Sequence, residues 1–131
     1  MAMRVEIATG LIDELIALAG ADPAREVCGL LFGGSGRIDG FRPAANVAAD
    51  PSTTFEIDPA ALFAAHRAAR AGGPSPVGCY HSHPRGPASP SARDKAGADP
   101  GQYWLILARG DAQLYHVGWD GRFDRCRTAL T

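Results

Sequence analysis

Apolar and polar residues alternate along the chain with two different periods. Leu11, Ile12, Leu15, Ile16 and Leu18 fall on one stripe at helical spacing, which predicts a helix over 11–19, capped by Thr9 or a neighbour and stopped by Gly20, Asp22 and Pro23. A short strand at 5–7 precedes it. Residues 27–32 are almost wholly apolar, the pattern of a central strand covered on both faces. The turn GlyGlySerGly at 33–36 returns the chain into a hairpin partner at 37–42, after which 46–54 reads as loop and 55–57 as a short extended piece. Asp58 as cap and Pro59 at the first helical position open a second helix that runs to about residue 71, with Leu62 and Phe63 set to pack on a sheet. A strand at 76–83 follows. The short helix from Ser91 is closed by Gly97, Asp99 and Pro100, and strands at 102–108, 112–117 and 122–126 form an antiparallel meander joined by ArgGlyAsp and TrpAspGly turns. The order βαββ, αβ, αβββ is that of an α/β fold, a mixed, partly antiparallel sheet with helices on its faces.

Size and charge narrow the function classes. A chain of 131 residues is one domain spanning 1–131, long enough to bury roughly two thirds of its unfolded surface. Thirteen basic and 14 acidic residues give a net charge of −1, and no basic tract marks a nucleic-acid face. No apolar run reaches the length of a membrane span and the start MetAlaMetArgValGluIle lacks a leader pattern, so the expected location is the cytoplasm, with neither nucleic acid nor membrane as partner. Three cysteines, Cys28, Cys79 and Cys126, are an odd number with no CxxC pair, and read as buried free thiols. The GlyGlySerGly run joins two strands and is no phosphate loop.

The chemistry concentrates in ValGlyCysTyrHisSerHisProArgGlyProAlaSerProSerAlaArgAsp at 77–94. In a strand the period of two puts His81 and His83 on the same face, and Pro84 ends the ladder with both rings at the strand's mouth. Asp94, in the first turn of the short helix, is the candidate third ligand. Two imidazoles and one carboxylate suit zinc with an open fourth position, the pattern of a catalytic site. Blander readings stand beside this one. Ser91 and Asp94 also spell a capping box, and Glu26 beside Arg25 also reads as a solvated acid. Cys79 shares the face of His81 one step deeper, whereas His66 reads as a surface histidine and His116 as a structural one.

His81-Ser82-His83-Pro84 followed by Ser91 and Asp94, with Glu26 upstream, resembles the signature of the JAMM (JAB1/MPN) zinc metalloproteases, of the small prokaryotic type. ArgGluValCysGlyLeuLeuPheGly at 25–33 and GlyCysTyrHisSerHisPro at 78–84 resemble that domain's two defining strands, in the right order. The resemblance implies a three-layer α-β-α JAB1/MPN domain of cytidine-deaminase-like architecture. It implies one zinc per chain held by His81, His83 and Asp94, Glu26 as general base and acid toward a zinc-activated water, and Ser91 as a stabiliser of the oxyanion. A deaminase itself is excluded, because the HxE and PCxxC segments are absent. Family members are similar in cutting at or after the C-terminal Gly-Gly of a ubiquitin-like or sulfur-carrier protein. The stretches 58–77 and 94–102 are too short for large recognition insertions, so a carrier-processing peptidase is expected ahead of a deubiquitinase-like isopeptidase. A thiol protease built on Cys28, or a zinc-stabilised non-enzymatic scaffold closed by a fourth protein ligand such as Cys79, His66 or His116, is the remaining alternative.

Overall fold

A computed structural model describes residues 2–131, which form eight strands and three helices. Strands β1 (Arg4–Ile7), β2 (Cys28–Gly34), β3 (Arg37–Ala44), β4 (Pro76–Ser82), β5 (Tyr103–Ala108), β6 (Asp111–Val117), β7 (Phe123–Arg125) and β8 (Arg127–Leu130) make one mixed sheet in the order β7-β6-β5-β4-β2-β3-β1-β8. The β2–β3, β2–β4, β5–β6 and β6–β7 pairs are antiparallel, while β4–β5, β1–β3 and β1–β8 are parallel.

The period of two sorts the side chains into two cores. Tyr80, Tyr103, Leu105, Leu107 and Leu31 face α1 (Leu11–Gly20), which contributes Leu11 and Leu15. Cys28, Leu30, Cys79, Trp104 and Ile106 face the other way, toward Ile57 and Ala65 beside or within α2 (Pro59–Arg70). The helices lie on opposite faces, as the three-layer expectation required. β2 sits between β4 and β3 with its first five residues buried, the central strand that its unbroken apolar run demands.

Several local expectations change. The cap of α1 is the neighbour of Thr9, as the sequence allows: Gly10, in a left-handed conformation (φ 87°) without a side-chain hydrogen bond, while Thr9 gives its hydroxyl proton to the Thr131 carbonyl. Phe63 faces solvent at 60% exposure, with the Arg67 guanidinium 5.0 Å from its ring centroid, and Ala65 is the buried residue of α2. Asp58 does cap that helix, accepting from the Ala60 amide at 3.0 Å. Strand β8 is absent from the elements that the sequence pattern predicts. It continues β7 across Cys126, whose N–H bonds Leu114 on β6 at 2.8 Å, while the next N–H, from Arg127, bonds Met3 beside β1 at 2.8 Å. One C-terminal strand thus bridges the two ends of the sheet and closes it on itself. No helix of the described residues is long and apolar enough to cross a membrane.

Candidate active site

Strand β4 delivers His81 near its C-terminal end, and His83 follows just beyond, its N–H bonded to the Leu107 carbonyl at 2.7 Å so that extended geometry persists to Pro84. The helix α3 (Ala92–Gly97) brings Asp94 over them through a complete capping box: Ser91 Oγ accepts from the Asp94 N–H at 3.1 Å and the Ser91 N–H donates to Asp94 Oδ2 at 2.9 Å. The capping box therefore exists, and it sets the Asp94 carboxylate over the two histidines. Asp94 Oδ2 lies 3.1 Å from His81 Nε2 and 3.2 Å from His83 Nε2, and the two nitrogens are 3.0 Å apart.

These three atoms fit a metal ion. Ligand bonds of about 2.0–2.1 Å at tetrahedral angles separate neighbouring donors by about 3.3 Å. His83 Nδ1 faces the Pro87 carbonyl at 2.8 Å, so it carries the proton and leaves a lone pair on Nε2. A lone pair pointed at a carboxylate oxygen and a second imidazole, in a buried setting, calls for a cation or an extra proton between them. His81 is held differently. Its ring is fully buried, stacked on Phe55 at 4.2 Å and edge-on to Trp104 at 5.5 Å, and its Nδ1 has no partner among the described residues.

Electrostatics separates the groups. Burial works to raise the Asp94 carboxyl, but hydrogen bonds with His81 and His83 outweigh it and hold Asp94 well below the usual carboxylate range. Burial lowers His81 despite Asp94, whereas the hydrogen bond to Asp94 raises the more open His83. For two imidazoles facing one carboxylate, the deeper ring is the one that stays neutral. Glu26, 6% exposed just ahead of β2, offers a carboxylate oxygen within 4.8 Å of a nitrogen on each ring. Burial pushes its carboxyl up to about 7, with His83 pulling down and Asp94 pushing up. A cavity of about 500 Å³ opens on Glu26, His83, Ser91, Thr53 and Arg85.

Residues 8–120 match the profile of the family described as prokaryotic homologs of the JAB domain. The chain belongs to this JAB family. Over 124 residues the JAB-family chain is 32% identical to a desampylase of Haloferax volcanii, an alignment covering 90% of this chain and 89% of that one. It is 31% identical over 114 residues to a CysO-cysteine peptidase of Mycobacterium tuberculosis, covering 85% of this chain and 77% of the relative. A solution structure of a protein from Desulfitobacterium hafniense superposes with a TM-score of 0.81 at 29% identity, covering 97% of this chain and 92% of that one. The chain is an enzyme of the JAMM metallopeptidase type.

The other sequence candidates sit apart from this centre in the JAB-family chain. Cys28 is buried at the sheet with its thiol pushed up to about 11 by burial and by Glu26, which keeps it protonated and removes it as a nucleophile. Cys79 is buried, and burial holds its thiol well above the ordinary value. Neither Cys79, His66 nor His116 joins the cluster of ligand atoms among the described residues. His66 is exposed on α2, and His116 lies against the Tyr103 ring at 5.2 Å. Two residues that sequence reasoning passed over matter here. Ser82, between the histidines, accepts from the Val27 N–H at 2.9 Å through Oγ and donates its own N–H to the Val27 carbonyl at 3.0 Å, tying the residue after Glu26 to β4. Phe55, in the extended piece before α2, roofs His81. The available signals were a hydroxyl at a strand's last residue and one aromatic ring in a polar run.

Proposed function

We propose that this chain is a carrier-processing peptidase, hydrolysing the peptide or isopeptide bond that follows the C-terminal Gly-Gly of a ubiquitin-like or sulfur-carrier protein. One zinc ion would be held by His81, His83 and Asp94. The observation that supports this best is the convergence of His81 Nε2, His83 Nε2 and Asp94 Oδ2 at 3.0–3.2 Å, with the buried carboxylate of Glu26 beside them. A zinc ion there supplies Lewis acidity, lowering the pKa of a water and drawing charge from a carbonyl oxygen.

The chain's own groups do the rest. Glu26 takes the proton released when water attacks and hands it to the departing amine, its buried carboxylate standing within 4.8 Å of a nitrogen on each ring. Ser91 accepts the Asp94 amide through Oγ, which leaves its own hydroxyl proton to give to the oxyanion of the tetrahedral intermediate. Asp94, kept ionised by its neighbours, and His83, fixed in tautomer by Pro87, hold the ion without entering the proton transfer. The relatives named for desampylation and for CysO-cysteine cleavage support a substrate of the small-carrier class.

The test is a cleavage reaction read by intact mass. Zinc-loaded protein is mixed with folded ubiquitin-like or sulfur-carrier proteins bearing short extensions past Gly-Gly. Cleavage directly after the second glycine is expected, abolished by a chelator and lowered roughly 10²–10⁴-fold by Glu26→Gln. Cuts scattered through unfolded peptides, with no dependence on a folded carrier, would remove the carrier assignment and leave a general zinc peptidase.

A further inference from the structure

Glu26 lies outside the sheet's ladder, in the two residues between the α1–β2 turn and Cys28. No hydrogen bond reaches its carboxylate among the described residues, so the placement of its main chain aims it. Three contacts fix that main chain. Its N–H donates to the Pro51 carbonyl at 2.7 Å, Val27 is tied to Ser82, and its carbonyl accepts from Asn46 Nδ2 at 2.8 Å.

Asn46 does more than hold Glu26. The same Nδ2 donates to the Thr54 carbonyl at 3.0 Å, and Oδ1 accepts from the Glu56 N–H at 3.1 Å and the Ala48 N–H at 3.0 Å. Thr54 and Glu56 flank Phe55, so one carboxamide grips the peptide groups on both sides of the ring that stacks on His81. Both amide donors are used and the oxygen accepts twice, which fills the side chain's capacity. A flipped amide would set its oxygen against two carbonyls and its NH₂ against two N–H groups, so the network admits one orientation. The backbone of Asn46 is part of the same unit, through its bridge to Ile57 and the neighbouring Val47 N–H to the Glu56 carbonyl at 2.9 Å.

We infer that Asn46 is a positioning residue for hydrolysis: through one carboxamide it locks Glu26 and the Phe55 strap into a single body, so that the proton carrier and the roof of His81 keep register with each other. This rests on the role proposed for Glu26. Asn46 touches none of the three metal-facing atoms, and its effect is expected on turnover more than on metal content. A catalytic group displaced by about 1 Å loses on the order of 10²-fold in rate.

Asn46→Asp is the informative variant. It keeps the shape and the acceptor half but turns the donor half into an oxygen facing two carbonyls. The zinc-loaded variant should retain one zinc per chain by metal analysis and lose about 10- to 100-fold in kcat on the carrier that the wild type cleaves. In a Glu26→Gln background the same substitution should change kcat by less than about twofold, because the group it positions has been removed. Hydrogen exchange of the metal-free proteins gives a reading independent of turnover: the Glu26, Val47 and Glu56 amides should lose protection in Asn46→Asp while those of β5 keep theirs. Asn46→Ser, which introduces no charge, takes its place if the aspartate variant does not accumulate, with the same expectations. An equal loss of kcat in both backgrounds, wild-type kcat, or unchanged protection of Glu26 and Glu56 would overturn the inference. A Glu26→Gln single variant with normal turnover would instead overturn the role of Glu26, and the two failures are read from different proteins.

Discussion

At Glu26 burial prevails over the neighbouring charges, whereas at Asp94 the histidines outweigh it, and this has a consequence for stability apart from catalysis. Its carboxyl lies near 7 in the folded chain against an ordinary value of 4.5. Between those values the folded state holds a proton that the unfolded state has released, so its contribution is intact below 4.5 and is lost as pH rises through 7. In the metal-free protein, Glu26→Gln should therefore gain on the wild type by about 2–3 kcal/mol between pH 5 and pH 8, read as the change in the difference between their urea unfolding free energies. A constant difference would mean the carboxyl is not buried as described. His83→Ala removes a lone pair whose direction the Pro87 carbonyl sets. It should abolish stoichiometric zinc at pH 7, and metal analysis after gel filtration that found one zinc per chain would relocate the site. These residues were legible in the sequence because their chemistry is local: the HxH spacing fixes a face, and the SxxD spacing fixes a helix start. Glu26 needed the family resemblance, since a lone acid beside Arg25 says nothing of what the sheet brings near it. Asn46 was invisible, because its four partners come from three segments that only the fold assembles.

Strand β4 carries His81 and leads directly into His83, and at Gly78 it leaves no room for a side chain. A Cβ at Gly78 would stand 1.8 Å from the Tyr103 carbonyl oxygen and 2.6 Å from its carbon, and neither can rotate away. Gly78 pairs with Tyr103 in the parallel β4–β5 ladder, so relief would require the strands to separate. Gly78→Ala should cost about 3 kcal/mol or more, whereas Gly40→Ala on β3, with nothing within 4 Å of the added carbon, should stay within about 0.5 kcal/mol. Urea midpoints of the two variants against wild type decide this, and a mild Gly78→Ala would show that β4 and β5 part easily. At this scale periodicity served well for α1, α2 and the central strands, where one apolar stripe or run meets one core. It failed at Phe63, because α2 carries more apolar residues than its small contact with the sheet can bury.

The closure of the sheet belongs to the whole molecule. ArgThrAlaLeu at 127–130 carries no alternating pattern and is mostly exposed, so nothing local marks it as a strand; its partner β1 lies at the other end of the chain, and only the fold brings the two into register, Val5 opposite Thr128 and Ile7 opposite Leu130. The ladder's bonds run from the Arg127 N–H to Met3 at 2.8 Å and from the Thr131 N–H to Ile7 at 3.1 Å, and the two-residue repeat of a parallel ladder aims the Ala129 N–H at Val5 between them. Proline at 129 deletes that donor in the middle of the pair, while serine keeps it. Beneath this ladder Val5 and Ile7 are fully buried in the core shared with α1, and Cys126 is buried where the strand passes from β6 to β1. Ala129→Pro should therefore lower stability by about 2–3 kcal/mol and strip hydrogen-exchange protection from β1 and β8 together, with Ala129→Ser near wild type. The candidate metal ligands lie at the end of β4, just past it and on α3, with β2 and β3 between them and this closure, so turnover well below the unfolding midpoint should be unchanged. If Ala129→Pro lowered kcat in step with stability, the closing strand would be part of what holds the active site in register; if β1 kept its protection, the sheet would not depend on that strand for closure.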